Sequence, residues 1–285
     1  MALATRTPST YDASGWLPEL WTNKVIDSMK NQLVCWEAFD TSDWTSSLTK
    51  GDTLHIPVTG HVTAAEVIVN TKHATLDMLG TMVSLSIDQW YEAPIDIDDM
   101  TLKQTQVDWE GQAQGESAYA ISKRLDTSIA TLFSTLNGSS VYGADGQTLT
   151  DDILLAIKEL LDEADVPMDG SRSLILDPSG VTDLLKIDKF IAAQYVNIGR
   201  VKNGLIGNSP IYGCDVRVTN NLVDAGTGNY AVMAHKQAII GIKQMQDSWT
   251  EKYPDLHTTR FCAECLWGVV EARDAFGVPF YSRHN

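Results

Sequence analysis

Two β-prone runs, DTLHIPVT at 52–59 and TMVSLSIDQW at 81–90, are separated by GHVTAAEVIVNTKHATLDMLG at 60–80. That spacing far exceeds the usual hairpin loop of about two to five residues. In the second run Val83, Leu85 and Ile87 alternate with Ser84, Ser86 and Asp88, the period of a half-buried strand. The pair therefore predicts a long two-stranded excursion, and an isolated ribbon cannot bury its own apolar side chains. Val67, Ile68, Val69, Leu76, Met78 and Leu79 need a surface supplied from elsewhere. A chain built this way is expected to complete itself in an assembly.

The next stretch, 96–136, is the longest helical candidate. Ala118, Ile121, Leu125, Ile129, Leu132 and Leu136 step by three or four residues and form one stripe. Gly111 and Gly115 weaken its first half, each costing roughly 1 kcal/mol relative to alanine. The expectation is a long helix with a frayed, bent or separate N-terminal portion. NGSSVYGADGQ at 137–147 reads as a loop.

From 148 the rhythm becomes alternating helix and strand. TDDILLAIKELLDEA has Thr150 as N-cap, acids in its first turn and Ile153, Ile157, Leu160, Leu161 and Ala164 facing inward. RSLILD at 172–177 reads as a buried strand. Asp177 then caps a helix that carries Pro178 at its first position and runs to about Phe190. In GLIGNSPIYGCDVRVT at 204–219, Gly204, Gly207 and Gly213 let the chain turn before Val216 and Val218 enter a sheet. NYAVMAH (229–235), AIIGIK (238–243) and TTRFCAECLWGVVEAR (258–273) are strand-like, and DAFGVPFY follows. A hairpin and helix before the α/β region, with a long strand after it, imply a discontinuous domain left near 145 and re-entered near 247.

At the N-terminus the first fifteen residues are polar and read as an arm ordered by contacts. GWLPELW opens a helix with Pro18 in its first turn and Leu17, Trp21, Val25 and Met29 at near-helical spacing. Trp16, Trp21, Trp36 and Trp44 crowd this segment. They serve either core packing or anchorage on a neighbouring subunit, where tryptophan is enriched.

Charge narrows the partners. Lys and Arg total 21 against 37 Asp and Glu, a formal net charge of −16 that repels DNA and anionic membranes. Such a chain can surround nucleic acid without gripping it. No run of apolar residues is long enough to span a bilayer, and MALATRTPST has no signal-peptide pattern, so residence in a cytoplasm is the default expectation.

The motifs that suggest chemistry lack their contexts. GNSPI at 207–211 superficially resembles a nucleophile elbow, but Ile211 replaces the final glycine and a strand follows Ser209. GTGNYA at 226–231 fits the dinucleotide glycine pattern, yet strand-like residues follow it. DIDDM at 96–100 lacks the calcium-loop spacing and reads as a solvated helix start. Cys262 and Cys265 in FCAEC supply only two of four zinc ligands, and a strand would put them on opposite faces. The six histidines show no paired ligand spacing. No catalytic, cofactor or metal site is assigned.

The order of these elements resembles a family. GWLPELWTNKVIDSM is similar to the arm helix of the major capsid proteins of tailed bacteriophages, the Hong Kong 97 coat-protein fold. GDTLHIPVT and TMVSLSIDQWYEAPIDIDDM resemble the strands of that family's extended loop and the lead into its spine helix. AYAISKRLDTSIATLF resembles the spine helix itself. RSLILDPSGVTDLL, GLIGNSPIYGCDVRVTNNL and NYAVMAHKQAII resemble axial-domain segments, and TTRFCAECLWGVVEARDAFGV resembles the late strand returning to the peripheral domain.

What the resemblance implies is an α+β chain with an N-terminal arm at 1–45 and an extended β-hairpin loop at 46–92. A peripheral domain would comprise 93–147 and 247–285, with its long spine helix, and an axial α/β domain 148–246. It further implies a non-enzymatic shell subunit without cofactors, forming hexamers and pentamers of an icosahedral head around packaged double-stranded DNA. Portal and possible decoration proteins would be partners, with assembly in the host bacterial cytoplasm and residence in the virion. Met1 lies some fifteen residues before the arm helix, so a separate scaffolding protein is expected. The inter-subunit contact candidates are Trp16, Trp21, Val67, Ile68, Val69, Lys72, Leu76 and Met78. Two alternatives stand beside this reading: an encapsulin-like nanocompartment shell and a cytosolic α/β enzyme using 148–245.

Overall fold

Residues 172–176, RSLIL, are buried without interruption, which a strand achieves only when both faces of its sheet are covered. The computed structural model that shows this describes residues 33–41, 51–59, 64, 66, 80–105, 108–187, 201–202, 205–206 and 211–283.

In chain order, a short helix α1 (Cys35–Ala38) precedes strands β1 (Thr53–Thr59), β2 (Gly80–Ser86) and β3 (Gln89–Asp98). Helices α2 (Asp99–Gln104) and α3 (Trp109–Thr131) follow. A 3-10 turn (Phe133–Thr135) leads towards helix α4 (Asp151–Glu163), strand β4 (Arg172–Leu176) and helix α5 (Pro178–Leu184). The remaining strands are β5 (Val201–Lys202), β6 (Leu205–Ile206), β7 (Asp215–Val218), β8 (Gly228–His235), β9 (Ile239–Tyr253), β10 (Thr258–Glu271) and β11 (Gly277–Arg283).

These strands build two principal sheets. One has the order β3-β10-β9 and is antiparallel throughout; the other has the order β11-β8-β4-β7, with β4 and β7 parallel. Helix α3 covers one face of the first sheet, setting Ile121 and Leu125 against Ala263, Cys265 and Trp267. The second sheet is covered twice. Leu154, Ile157 and Leu161 of α4 and Leu184 of α5 pack with Leu174, Leu176 and Met233. On the opposite face Ile175, Val232 and Ala234 meet Ile129, Phe133 and Phe39.

Several expectations shift by local physics. The run 81–90 divides at Ile87–Asp88: its first part is β2, whereas Gln89 and Trp90 begin β3 in another sheet. Residues 96–98 close β3 and are not helical, and the expected separate N-terminal portion is α2. The α3 stripe runs through Ala113, Ser117, Ile121, Leu125 and Ile129, while Ala118 points outward. Two small residues thus let the helix approach the sheet closely. In α4, Leu154 is buried and Leu160 is 36% exposed, because the core lies one position round from the expected stripe. Thr150 occupies the N-cap position without a side-chain bond, whereas Asp177 caps α5 by accepting from the Gly180 N–H at 3.1 Å. Helix α5 ends at Leu184, short of Phe190.

The turn before β7 is tight. Ile211 and Cys214 exchange both backbone bonds at 2.9 Å, and Tyr212 and Gly213 between them have φ 52° and 82°. Such a two-residue turn demands left-handed angles, which Gly213 adopts without penalty. Gly204, Gly207 and Ser209 lie outside the described residues, as does GWLPELW. The segment 247–285 divides between sheets: the outer part of β9, from Asp247 on, and all of β10 lie in the three-stranded one, while β11 pairs with β8.

Candidate assembly surfaces

The β1–β2 ribbon is buried only at its root. Its register runs from Thr53↔Ser86 to Thr59↔Gly80, and Ile56, Leu85 and Ile87 pack with Ile240 and Ile242. Toward the far end of the described strands Gly80, Thr81 and Met82 are exposed, Met82 to 66%. The root is set by contact between main chains. A Cβ on Gly268 of β10 would lie 2.2 Å from the Ser86 carbonyl oxygen, so only glycine permits this approach.

A second surface is the strand β3, which among the described residues pairs only with β10. Its alternation places Tyr91 toward α3, where it stacks on Trp267 at 5.2 Å and receives a 2.8 Å bond from the Arg124 guanidinium. Trp267 is fully buried, and its Nε1 donates to Ser128 Oγ at 3.1 Å. Trp90, next to Tyr91, is 66% exposed. The acids of DIDDM are not merely solvated. Asp96 accepts a two-pronged bond from Arg260 at 2.6 and 2.8 Å, and Asp99 takes Lys252 at 2.7 Å and Thr259 at 2.9 Å. The Arg260 bond holds the Asp96 carboxyl below its usual value, and the Lys252 bond does the same for Asp99.

The third element is the segment 33–41, which lies like a bound peptide between α3 and the inner end of β9. Buried Asp126 accepts the backbone N–H of Cys35 at 2.7 Å and of Trp36 at 3.0 Å, and its second oxygen accepts Asn221 Nδ2 at 3.2 Å. Asp40 bridges to β9 in parallel with Ile240, and Phe39 meets the Phe133 ring at 5.9 Å. Trp36 lies over Gly241, and Lys243 Nζ sits 4.7 Å above its ring. Trp36 thus anchors onto its own chain. Sequence reasoning did not single out Asp126 or Phe39; an acid on the buried side of a helical stripe was the available signal.

The candidates Trp16, Trp21, Val67, Ile68, Val69, Lys72, Leu76 and Met78 all lie outside the described residues, as does Trp44.

Chemistry is sparse. Gly226 and Thr227 of GTGNYA lead into β8, a strand and not a helix. All four cysteines are buried as free thiols, and among the described residues no three His, Cys, Asp or Glu are grouped to hold a metal ion. A hollow of about 330 Å³ opens beyond the carboxyl ends of β4 and β7, lined by Asp177, Ser179, Thr219, Asn220, Asp224 and Asn229. Its carboxylates are engaged locally: Asp177 by the Gly180 N–H and Ser179 Oγ, Asp224 by the Gly226 N–H at 2.8 Å.

Residues 80–208 match the family model for phage capsid proteins. No curated protein matches the chain in sequence. Among solved structures, that of Mycobacterium phage Che8 superposes with a TM-score of 0.79 at 21% identity, covering 93% of this chain and 97% of the other. The capsid of cyanophage P-SCSP1u gives 0.78 at 14% identity over 99% and 100%. The chain has the phage capsid protein fold. The capsid of an empty GTA particle, solved with C5 symmetry, shares it at a TM-score of 0.68 and 11% identity over 99% and 100%. Capsid chains therefore match this one nearly end to end. No described helix is long and apolar enough to cross a membrane.

Proposed function

We propose that the chain is the major capsid protein of a tailed phage, a structural subunit without catalytic activity. The observation that carries this is the end-to-end match to capsid chains. The ribbon supports it: a two-stranded element covered only at its root gains its missing burial from a neighbour. Copies then associate through heterologous contacts that close into rings, giving hexamers and pentamers of an icosahedral head.

In this reading 1–45 is the arm, 46–92 the extended loop, 93–147 with 247–285 the peripheral domain and 148–246 the axial domain. Trp16, Trp21, Val67, Ile68, Val69, Lys72, Leu76 and Met78 make the inter-subunit contacts. A separate scaffolding protein directs assembly in the host cytoplasm, and portal and decoration proteins complete the virion. The charge of −16 suits a wall that encloses double-stranded DNA without sequence-specific grip.

Electron microscopy of the expressed protein, alone and with a candidate scaffold, tests the reading. Closed shells are expected, and the contents of shells purified from infected cells should be genome and not a cargo enzyme. Small oligomers that never close under any condition would count against it, and protein cargo would favour a nanocompartment.

A further inference from the structure

Asn137, Gly138 and Ser139 lie where the chain passes from α3 toward the four-stranded sheet, and all three have left-handed angles. Asn137 has φ 55° and ψ 42°, Gly138 φ 62° and ψ 32°, and Ser139 φ 60°. Consecutive left-handed residues are rare, since each non-glycine member is strained, so something must hold them. Asp274 and Ser140 hold them: the Gly138 N–H donates to both Asp274 carboxylate oxygens, at 2.8 and 2.9 Å, while Asn137 accepts the Ser140 N–H at 3.1 Å and donates its Nδ2 to the Ser140 carbonyl at 3.4 Å.

Asn-Gly is also the dipeptide that most readily loses its side-chain amide, because glycine leaves its own nitrogen free to attack the neighbouring Cγ. Gly138 is exposed, and nothing lies within 4 Å of the place a Cβ would occupy. Sterically the site is open. Ring closure, however, requires Gly138 N and Asn137 Cγ on the same side of the Asn137 Cα–C bond. For an L residue that occurs near the ψ of the first central residue of a type II′ turn, about −120°. At ψ 42° the two atoms are nearly opposed. Rotation to the reactive angle withdraws the Gly138 N–H from Asp274.

We propose that Asn137 is a latent deamidation site kept inert by Asp274. When the clamp opens, Gly138 N bonds to Asn137 Cγ and its amide proton passes to solvent. The Cγ–Nδ2 bond breaks, and ammonia leaves after taking one proton from solvent. Water then opens the succinimide at either carbonyl, giving aspartate or isoaspartate. One water is consumed and one ammonia released, with no redox partner. The product sets a new carboxylate beside Asp274, and isoaspartate lengthens the main chain by an atom. Both oppose re-formation of the turn, so the opening becomes permanent.

The test is incubation of the full-length folded protein at mildly alkaline pH, with peptide mass spectrometry separating aspartate from isoaspartate at position 137. The same chain unfolded in guanidinium is the reference. Native protein should keep the amide long after the unfolded chain has lost it. Asp274→Ala, its fold checked by circular dichroism, should lose the amide about tenfold faster than native, as expected for removal of a charge-assisted clamp. Asp274→Asn, which keeps one acceptor oxygen, should fall between and serves alone if the alanine variant does not fold. Equal rates in native and unfolded chains, or no acceleration in the folded variants, would overturn the proposal.

Discussion

Asp126 and Cys35 stand ninety-one residues apart in sequence and 2.7 Å apart in space, the buried carboxylate accepting the Cys35 backbone N–H. With the Trp36 N–H at 3.0 Å and Asn221 Nδ2 at 3.2 Å, one side chain ties the N-terminal segment, α3 and the loop after β7 together. Asp126→Ala leaves three donors, two of them buried, without this acceptor and should cost about 3 kcal/mol by denaturant titration. Hydrogen exchange should then show 33–41 opening ahead of the sheets. Uniform loss of protection across the chain would contradict this role.

Gly268 is tested by steric addition. Gly268→Ala puts a methyl 2.2 Å from the Ser86 carbonyl and 3.0 Å from Leu85 Cδ2, with no flexible side-chain tip to yield at the carbonyl. Separation of the ribbon root from β10 should cost about 2–3 kcal/mol, as overpacking does. Gly80→Ala, in the same ribbon, meets only Val58 O at 3.6 Å and should be near neutral. The contrast in unfolding midpoint between the two variants is the measurement.

Glu271 gives a pH signature. Burial, then the bond to Asp274, push its carboxyl above the usual value, while Thr135 Oγ1 donates to it at 3.1 Å. A raised carboxyl means the folded state binds the proton more tightly than the unfolded one. That stability is complete below the unfolded value of about 4.3 and lost as pH rises through the folded value. Glu271→Gln, which mimics the protonated form, should raise the melting midpoint at pH 7 and leave it unchanged near pH 4. A midpoint lowered at both pH values would refute the sign.

The thiols should be silent. Burial pushes Cys214 up to about 11 and drives Cys35, Cys262 and Cys265 upward too, Asp126 adding to the effect at Cys35. A disulfide reagent at pH 8 should label none of the four in folded protein and all four after unfolding, since the thiolate is the reactive form. Rapid labelling of folded protein would show that the segment around one of them opens readily.

Periodicity made α3 and α4 legible, because their apolar positions repeat with the period of the helix, while β4 and β10 could be read as β-prone apolar runs. Strand β3 escaped it. QWYEAPIDID carries Pro94 and a string of acids, which together read as the approach to a helix, whereas an edge strand tolerates proline on its unpaired side. The short strand β11 was hidden in DAFGVPFY for a similar reason, having a proline in mid-strand at the edge of its sheet. The ribbon's dependence on outside cover could be read from the spacing of its runs. Its anchorage could not, because Gly268 and Ser86 become neighbours only after two sheets have formed. The partner of Asp126 was hidden for the same reason: its place beside the helical stripe marks the acid, but nothing around it points to Cys35.

Strands β9 and β10 extend 15 and 14 residues from roots set among Ile239, Ile240 and Ile242 to the turn at Tyr253–Thr258. At about 3.3 Å per residue they reach roughly 50 Å. Joined by β3 and backed by α3, a stiff sheet of that reach is a lever. A tilt of about 5° at the root would carry the tip through roughly 4 Å, so small rearrangements of a few buried isoleucines become displacements as large as a side chain at the far end.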